Sequence, residues 1–369
     1  MHGYGGVWRR HQMQRLALLC AGGTGLQAIA SQFCATVTRL LDAEASFLMW
    51  FADDGRPLGF YHETAPAELK DLFTNGFEDN FSRTEPVSAW QLIEPGGPLI
   101  GRMLAPGMQE RFEQGSIYRQ LCVPLGHRYM IDMSASAAGI GHAGYFAWNP
   151  PGRPFNSEAI ELLRPIQPLM QQALAAQGNA VRWLSTCPGS PHLIVNTDGT
   201  SLLAMDARAD DILKCSQLLG EILPATRQSR HVPFFTRQLA EEVGRTGKAE
   251  MALAVADGRL LLTASPTNLT NRNSQIAESA VFIQVELQIA EIVAKIEYVA
   301  ALDLTPLQRE MTLFAMDGNR RLDCLARFQV SHEALKKHLR HIFRATDVKS
   351  WDDLRELDSA VWLPARLPR

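Results

Sequence analysis

Eight lysine and arginine residues lie between Arg320 and Lys349, against three acidic ones. This window therefore carries +5 in a chain of 369 residues whose net charge is −3. Within it, Lys336, Lys337, Arg340 and Arg344 sit beside Leu335, Leu339 and Ile342, the last three spaced at i, i+4, i+7. On a helix that spacing makes one apolar stripe and leaves the cations off it. Ammonium and guanidinium groups on such a face can donate to phosphate oxygens and to the acceptor edges of bases. A solvated basic face is the plain alternative for charge alone. The residues around this helix decide between the two.

Thr305 is placed as an N-cap with Pro306 at the first helical position. Leu307, Met311, Phe314 and Ala315 then form an apolar face, and Gly318 suits a left-handed stop. A second helix is expected over 320–327, with Leu322, Leu325 and Ala326 inward. Phe328-Gln329-Val330 forms a short turn, and Ser331 caps the third, basic helix. Helix, tight turn and capped helix make a helix-turn-helix, whose last helix fits a DNA major groove.

Over about 303–357 the segment resembles the LuxR-type (GerE) helix-turn-helix family. The matching residues are Leu304-Thr305-Pro306, Arg309-Glu310, Gly318, Val330-Ser331, Lys336-x-His338, Ile342-Phe343 and Val348-x-Ser350. By that resemblance the third helix is the recognition helix. Lys336, Lys337 and Arg340 match positions that reach the groove, and His338 matches one near the DNA backbone. The helix from about 351 matches an element that often dimerises. Three departures stand out. Arg320-Arg321-Leu322-Asp323 replaces the usual entry to the second helix. Ala334 lacks the hydroxyl usual there, and Gln329 replaces a turn glycine. Arg320 and Arg321 are candidate phosphate donors in compensation.

The remaining length, about 300 residues, allows one or two further domains. Hydrophobic residues make up 46% of the chain and charged ones 20%, a globular composition that excludes wholesale disorder. The first part, 1–180, reads as α+β. Helices are expected over 25–42 (Thr24 as cap), 66–81, 108–118 and 156–176. Strands are expected over 47–51, 58–61, 129–133 and 144–148. Its layout resembles a GAF-type sensory domain, and Trp50, Phe60, Tyr61, Tyr118, Phe146 and Trp148 are candidate walls of a ligand pocket. After Cys187-Pro188-Gly189 a second α+β unit is expected over 187–288. It has strands at 192–195, 201–204, 251–255, 260–264 and 281–287, helices after 206 and over 234–243, and an Asp198-Gly199 turn. Its opening resembles a PAS domain, with Asp206 where that family usually has Asn. A linker helix over 289–302 then leads to a helix-turn-helix domain over 303–369. The expected fold class is thus multidomain, two α+β sensory-type units followed by an all-α one.

Other chemistry finds little footing. The cysteines at 20, 34, 122, 187, 215 and 324 form no Cys-x-x-Cys, and reduced thiols in a cytosol are the simplest reading. No metal or cofactor is expected. Gly139-Ile140-Gly141-His142-Ala143-Gly144 lacks the helix a dinucleotide fingerprint needs and reads as a strand connection. His142, His192 and His231 stand alone. No catalytic motif points to an enzyme. Arg9-Arg10 before Leu16-Ala17-Leu18-Leu19-Cys20 has some of the character of a leader, but Gly22-Gly23 breaks the apolar run. No run of 18 apolar residues suggests a membrane span. The expectation is a cytoplasmic regulator that binds duplex DNA as a homodimer, with a small-molecule ligand or a partner at its front domains. A regulator with weakened DNA binding that acts through a protein partner is the alternative. An enzyme with a DNA-binding tail ranks behind both.

Overall fold

The computed structural model describes residues 3–55, 57–62, 85–88, 91, 93–94, 96–176, 181–186, 189–215, 235–270 and 277–362. The helix expected over 66–81, His231 and the Cys187-Pro188 boundary lie outside them. The described chain is mixed α+β, with two antiparallel sheets and a helical C-terminal part.

The chain opens on a helix, α1 (Gly3–Ala21), the stretch with leader-like character. Leu16, Leu19 and Cys20 on it are buried. α2 (Ala30–Leu41) follows after one 3-10 turn at Gln27–Ile29. Thr24 does not cap it: its hydroxyl donates to Gly25 O at 3.3 Å, and the α-helix starts five residues later than the cap position predicts.

The first sheet has the order β2-β1-β4-β3, with β1 Ala45–Phe51, β2 Pro57–His62, β3 Tyr129–Ala137 and β4 Gly141–Asn149. At the start of β4, Gly141 has φ +147°, and a Cβ there would meet Phe51 O at 2.1 Å, so only glycine fits. Every residue of β1 is buried, because the sheet is covered on both faces. On one face Leu48, Trp50, Ile131, Met133 and Tyr145 pack with α1, α2 and the helix at Gln167–Ala175. On the other, Phe47, Met49, Phe60, Phe146 and Trp148 pack with Met103, Phe112 and Leu121. The helix expected over 108–118 is α3 (Met108–Glu113) and then a wide turn at Tyr118–Cys122. The helix expected over 156–176 is two, α4 (Ser157–Leu163) and α5 (Gln167–Ala175). Pro165 and Pro168 lack the N–H groups that would carry one helix through.

The second sheet has the order β7-β6-β10-β9-β8, and β5 also pairs with β10. Its strands are β5 Trp183–Ser185, β6 His192–Asn196, β7 Leu202–Met205, β8 Ala249–Val255, β9 Gly258–Thr270 and β10 Ala277–Ala290. α6 (Ala207–Cys215) and α7 (Phe235–Thr246) pack on it over a separate apolar core. Asp206 accepts from Arg208 N at 2.7 Å and Ala209 N at 3.2 Å, the helix-starting job an Asn would do. β10 runs to Ala290, so the helix expected from 289 begins at Glu291.

That helix, α8 (Glu291–Ala301), is no free linker. Val293, Ile296 and Val299 belong to one apolar core that runs from the first sheet through α1 into the C-terminal helices. The second unit meets the first through a turn: Asp257 Oδ1 accepts from Ser31 N at 2.7 Å and Asp257 N donates to Gln27 O at 2.9 Å.

Candidate nucleic-acid interface

The C-terminal part is α9 (Pro306–Met316), α10 (Arg321–Phe328), α11 (His332–Thr346), α12 (Trp351–Arg355) and α13 (Ser359–Trp362). Thr305 closes a full capping box: its hydroxyl accepts from Gln308 N, and Gln308 Oε1 accepts from Thr305 N at 2.9 Å. Gly318 takes φ +85°. Gln329 ends α10 with φ +52°, so the turn keeps the left-handed shape although glycine is absent. Ser331 Oγ accepts from Ala334 N at 3.2 Å and starts α11.

α11 divides as its spacing predicts. Leu335, Leu339 and Ile342 are at most 3% exposed. Lys336, Lys337, Arg340 and Arg344 are exposed, and His338 is half-buried. The nearby ion pairs join Arg320 to Asp323 and Arg355 to Asp352. Among the described residues no carboxylate pairs with the four cations of α11. They form an unneutralised stripe along one side of a helix held at its base by α9 and α10.

The other candidates differ from one another. Arg321 is exposed. Arg320 is fully exposed too, but its guanidinium is committed to Asp323 through two contacts of 3.0 Å across the first turn of α10. This raises the arginine pKa and lowers that of the aspartate. Leu322, expected inward, is 68% exposed, and Cys324 takes the fully buried place. The two positions lie about 200° apart on the helix, so only one of them can face the core.

The element matched to dimerisation is largely covered within the chain, although Val361 is exposed. Trp351, Leu354 and Trp362 are buried, and Trp351 Nε1 donates to Asn319 O at 2.9 Å. Polar ties fix this assembly. Arg15 on α1 holds Glu297 on α8 with both carboxylate oxygens engaged, at 2.9 and 2.6 Å. Gln14 Nε2 donates to Pro306 O at 2.9 Å and Glu310 Oε1 at 2.8 Å. None of these partners is local in sequence, so no motif announces them.

The six aromatic residues named as pocket walls do not share one wall. Trp50 and Tyr61 lie with the core beneath α1, α2 and α5. Phe60, Phe146, Trp148 and Tyr118 lie on the opposite face of the first sheet. Alternation along β1 and β2 separates neighbours such as Phe60 and Tyr61. Cys20, Cys34, Cys122 and Cys324 are buried thiols. His142 meets Ser136 Oγ at 2.8 Å, and His192 meets Ser190 O at 3.0 Å and stacks on the Phe282 ring at 4.9 Å. Among the described residues no three His, Cys, Asp or Glu side chains gather as metal ligands, and no helix is long and apolar enough to cross a membrane.

No family model and no curated protein matches the chain. A solved structure of the Vibrio cholerae VqmA dimer without its target DNA, described with the LuxR-type receptors, is similar at 15% identity. The match covers 46% of this chain and 81% of that one, with a TM-score of 0.16.

Proposed function

We propose that this protein is a transcriptional regulator that binds duplex DNA, with α11 as the helix that enters the major groove. One observation carries the reading. A capped helix of four turns presents Lys336, Lys337, Arg340 and Arg344 to solvent, unpaired among the described residues, while its opposite side is locked into a core. Unpaired cations in a row repel one another, and a polyanion relieves that. Arg321 and the Ser331 hydroxyl flank the stripe and serve phosphate oxygens. Arg320 joins them only by leaving Asp323. The two α+β units form the input side, in a GAF-like and PAS-like arrangement over 1–180 and 187–288, and 303–369 is the output. A homodimer presents two copies of α11 to the half-sites of one operator.

A second reading rests on Leu322. A leucine 68% exposed on α10, beside an arginine already paired, suits a protein partner better than a phosphate.

Selection of genomic fragments on the immobilised full chain, followed by anisotropy titration, tests the first reading. Enrichment of a common sequence, with affinity falling as salt rises, supports it. Binding that is absent at about 50 mM salt, where phosphate contacts are strongest, overturns it in favour of the partner reading.

A further inference from the structure

A sheet edge presents main-chain N–H and C=O groups to any strand of matching length. In the first sheet the β3 edge is covered: Ser134 N donates to Leu99 O and Gly101 N to Asp132 O, both at 2.8 Å. In the second sheet the β7 edge is four residues long, and its register slips against β6. The opposite edge, β8, has no such protection. It runs seven residues, Ala249–Val255, in unbroken register with β9, and holds no proline, no lysine and no bulge.

The hairpin turn fixes which groups are free. Val255 pairs with Gly258 across Ala256 and Asp257, so this closing pair exchanges hydrogen bonds. Bonded pairs alternate along an antiparallel ladder. Ala249, Met251, Leu253 and Val255 therefore bond to β9, and Glu250, Ala252 and Ala254 aim their N–H and C=O groups off the sheet. Their side chains are exposed as well. Met251 and Leu253 are half-buried on the other face, toward α7. Beside Met251 a groove of about 530 Å³ opens between α7 and the start of β8, walled by Leu239, Glu242 and Arg245.

The order of residues in β8 fits a copy of itself. Laid antiparallel about Ala252, every outward residue finds a partner: Ala252 faces its own copy, and Glu250 faces Ala254. On the α7 side Met251 meets Leu253, and the small Ala249 meets Val255. The two Glu250 carboxylates then stand about 14 Å apart, beyond the screening length of about 8 Å at physiological salt. An axis at Glu250 would set them face to face, and repulsion opposes that register. An axis at Met251 would leave Ala254 opposite Lys248, outside the strand.

We infer that β8 of one copy pairs antiparallel with β8 of a second copy about a two-fold axis at Ala252, which joins the two second sheets into one. Leu253 of each copy enters the groove beside α7 of the other. The inference rests on the reading as a homodimeric regulator only for its role on operator DNA. The test contains no DNA, so the two fail separately.

A pairing about 24 Å long is small beside the roughly 1,200 Å² of a stable interface, so the association belongs at the micromolar level. Sedimentation of the full chain up to about 300 μM should show a monomer–dimer equilibrium. Ala252→Lys sets two ammonium groups opposite each other and should weaken dimerisation by about threefold or more. Ala254→Lys faces Glu250 of the second copy on both sides of the axis and should strengthen it by about threefold or more. Both side chains are exposed, so circular dichroism should stay that of the wild type. Ala252→Cys reads the register: hydrogen-bonded partners lie about 5.5 Å apart between Cα atoms, a span that a disulfide bridges. Mild oxidation should link this variant into a covalent dimer faster than the wild type, which carries the same other cysteines. Three results overturn the inference: a monomer throughout the range, the same response to both lysine substitutions, or no cross-link at position 252 above the wild type.

Discussion

Lys295 on α8 donates to the main-chain oxygen of Met316, the last residue of α9, at 2.8 Å. Its ammonium also meets Glu291 Oε1 at 2.8 Å and Asp317 Oδ1 at 3.2 Å, and lies 5.9 Å from the centre of the Trp362 ring. A lysine side chain only 9% exposed thus ties the helix leaving the second sheet to the end of the first helix of the C-terminal unit. A cation at a helix C-terminus also meets the negative end of the helix dipole. A movement that shifts α8 would reach α9 through this contact.

Lys295→Ala should therefore destabilise the protein. It strands a buried helix-end carbonyl and leaves Glu291 with Arg182 as its remaining cation, and breaking a buried pair costs about 3 kcal/mol. Urea unfolding followed by tryptophan fluorescence checks it. A change below about 0.5 kcal/mol, the level of a neutral surface substitution, would show the contact to be dispensable.

Gln329 occupies a left-handed backbone position that disfavours a side chain. Gln329→Gly should raise stability by roughly 0.5–1 kcal/mol, the left-handed penalty less the extra freedom of glycine in the unfolded chain. Ser331→Ala should lower it by about 1 kcal/mol through the lost cap. Differential scanning calorimetry of the two variants should give shifts of opposite sign.

Lys337→Ala and Arg340→Ala should each cost about 1–3 kcal/mol of operator binding if the side chain reads a base edge. Where the side chain meets phosphate instead, the slope of log affinity against log salt should fall by about one. Circular dichroism should be unchanged, since neither residue touches the core. A double variant with the wild-type affinity and the wild-type salt slope would remove α11 from the DNA.

The Asp257 carboxyl, which accepts from Ser31 N between the two units, is pushed up to about 6, first by burial and then by the charge of Glu297. Its folded value stands above its unfolded one, so the native state holds the proton more tightly. The stabilisation from this group is full below about pH 4 and is lost as pH rises through about 6. Asp257→Asn should consequently gain on the wild type at pH 7. That gain should shrink by on the order of 1 kcal/mol between pH 7 and pH 5. The comparison with a variant matters because His62, pushed down to about 4 by burial, works in the opposite direction as pH falls. A pH-independent difference between the two proteins, in urea titrations at each pH, would refute the assignment.

Local devices were legible because each is written within a few residues. Thr305 with Gln308, Ser331 before Ala334, and Leu335, Leu339 and Ile342 act over one to three turns, so spacing alone predicts them. The strand connection at Gly139-Ile140-Gly141 was legible for the same reason, since a hairpin closes locally. Leu322 shows the limit: with two apolar residues competing in an eight-residue helix, only the packing partner selects Cys324. The same holds for the aromatic residues. Trp50 and Phe60 are alike in composition, and the pleat alone sends them to opposite faces of the sheet. What needed the tertiary structure is whatever joins distant segments. Arg15 meets Glu297, Gln14 meets Glu310, Asp257 meets Ser31, and Asp132 meets Met103. Each depends on where the chain returns after tens to hundreds of residues, and no local spacing encodes that return. The amino-acid order by itself determined a basic capped helix behind two α+β units. Folding decided that α1 binds this helical unit to the first sheet, because only a packed interior can bury Leu16, Lys295 and Trp362 around one core.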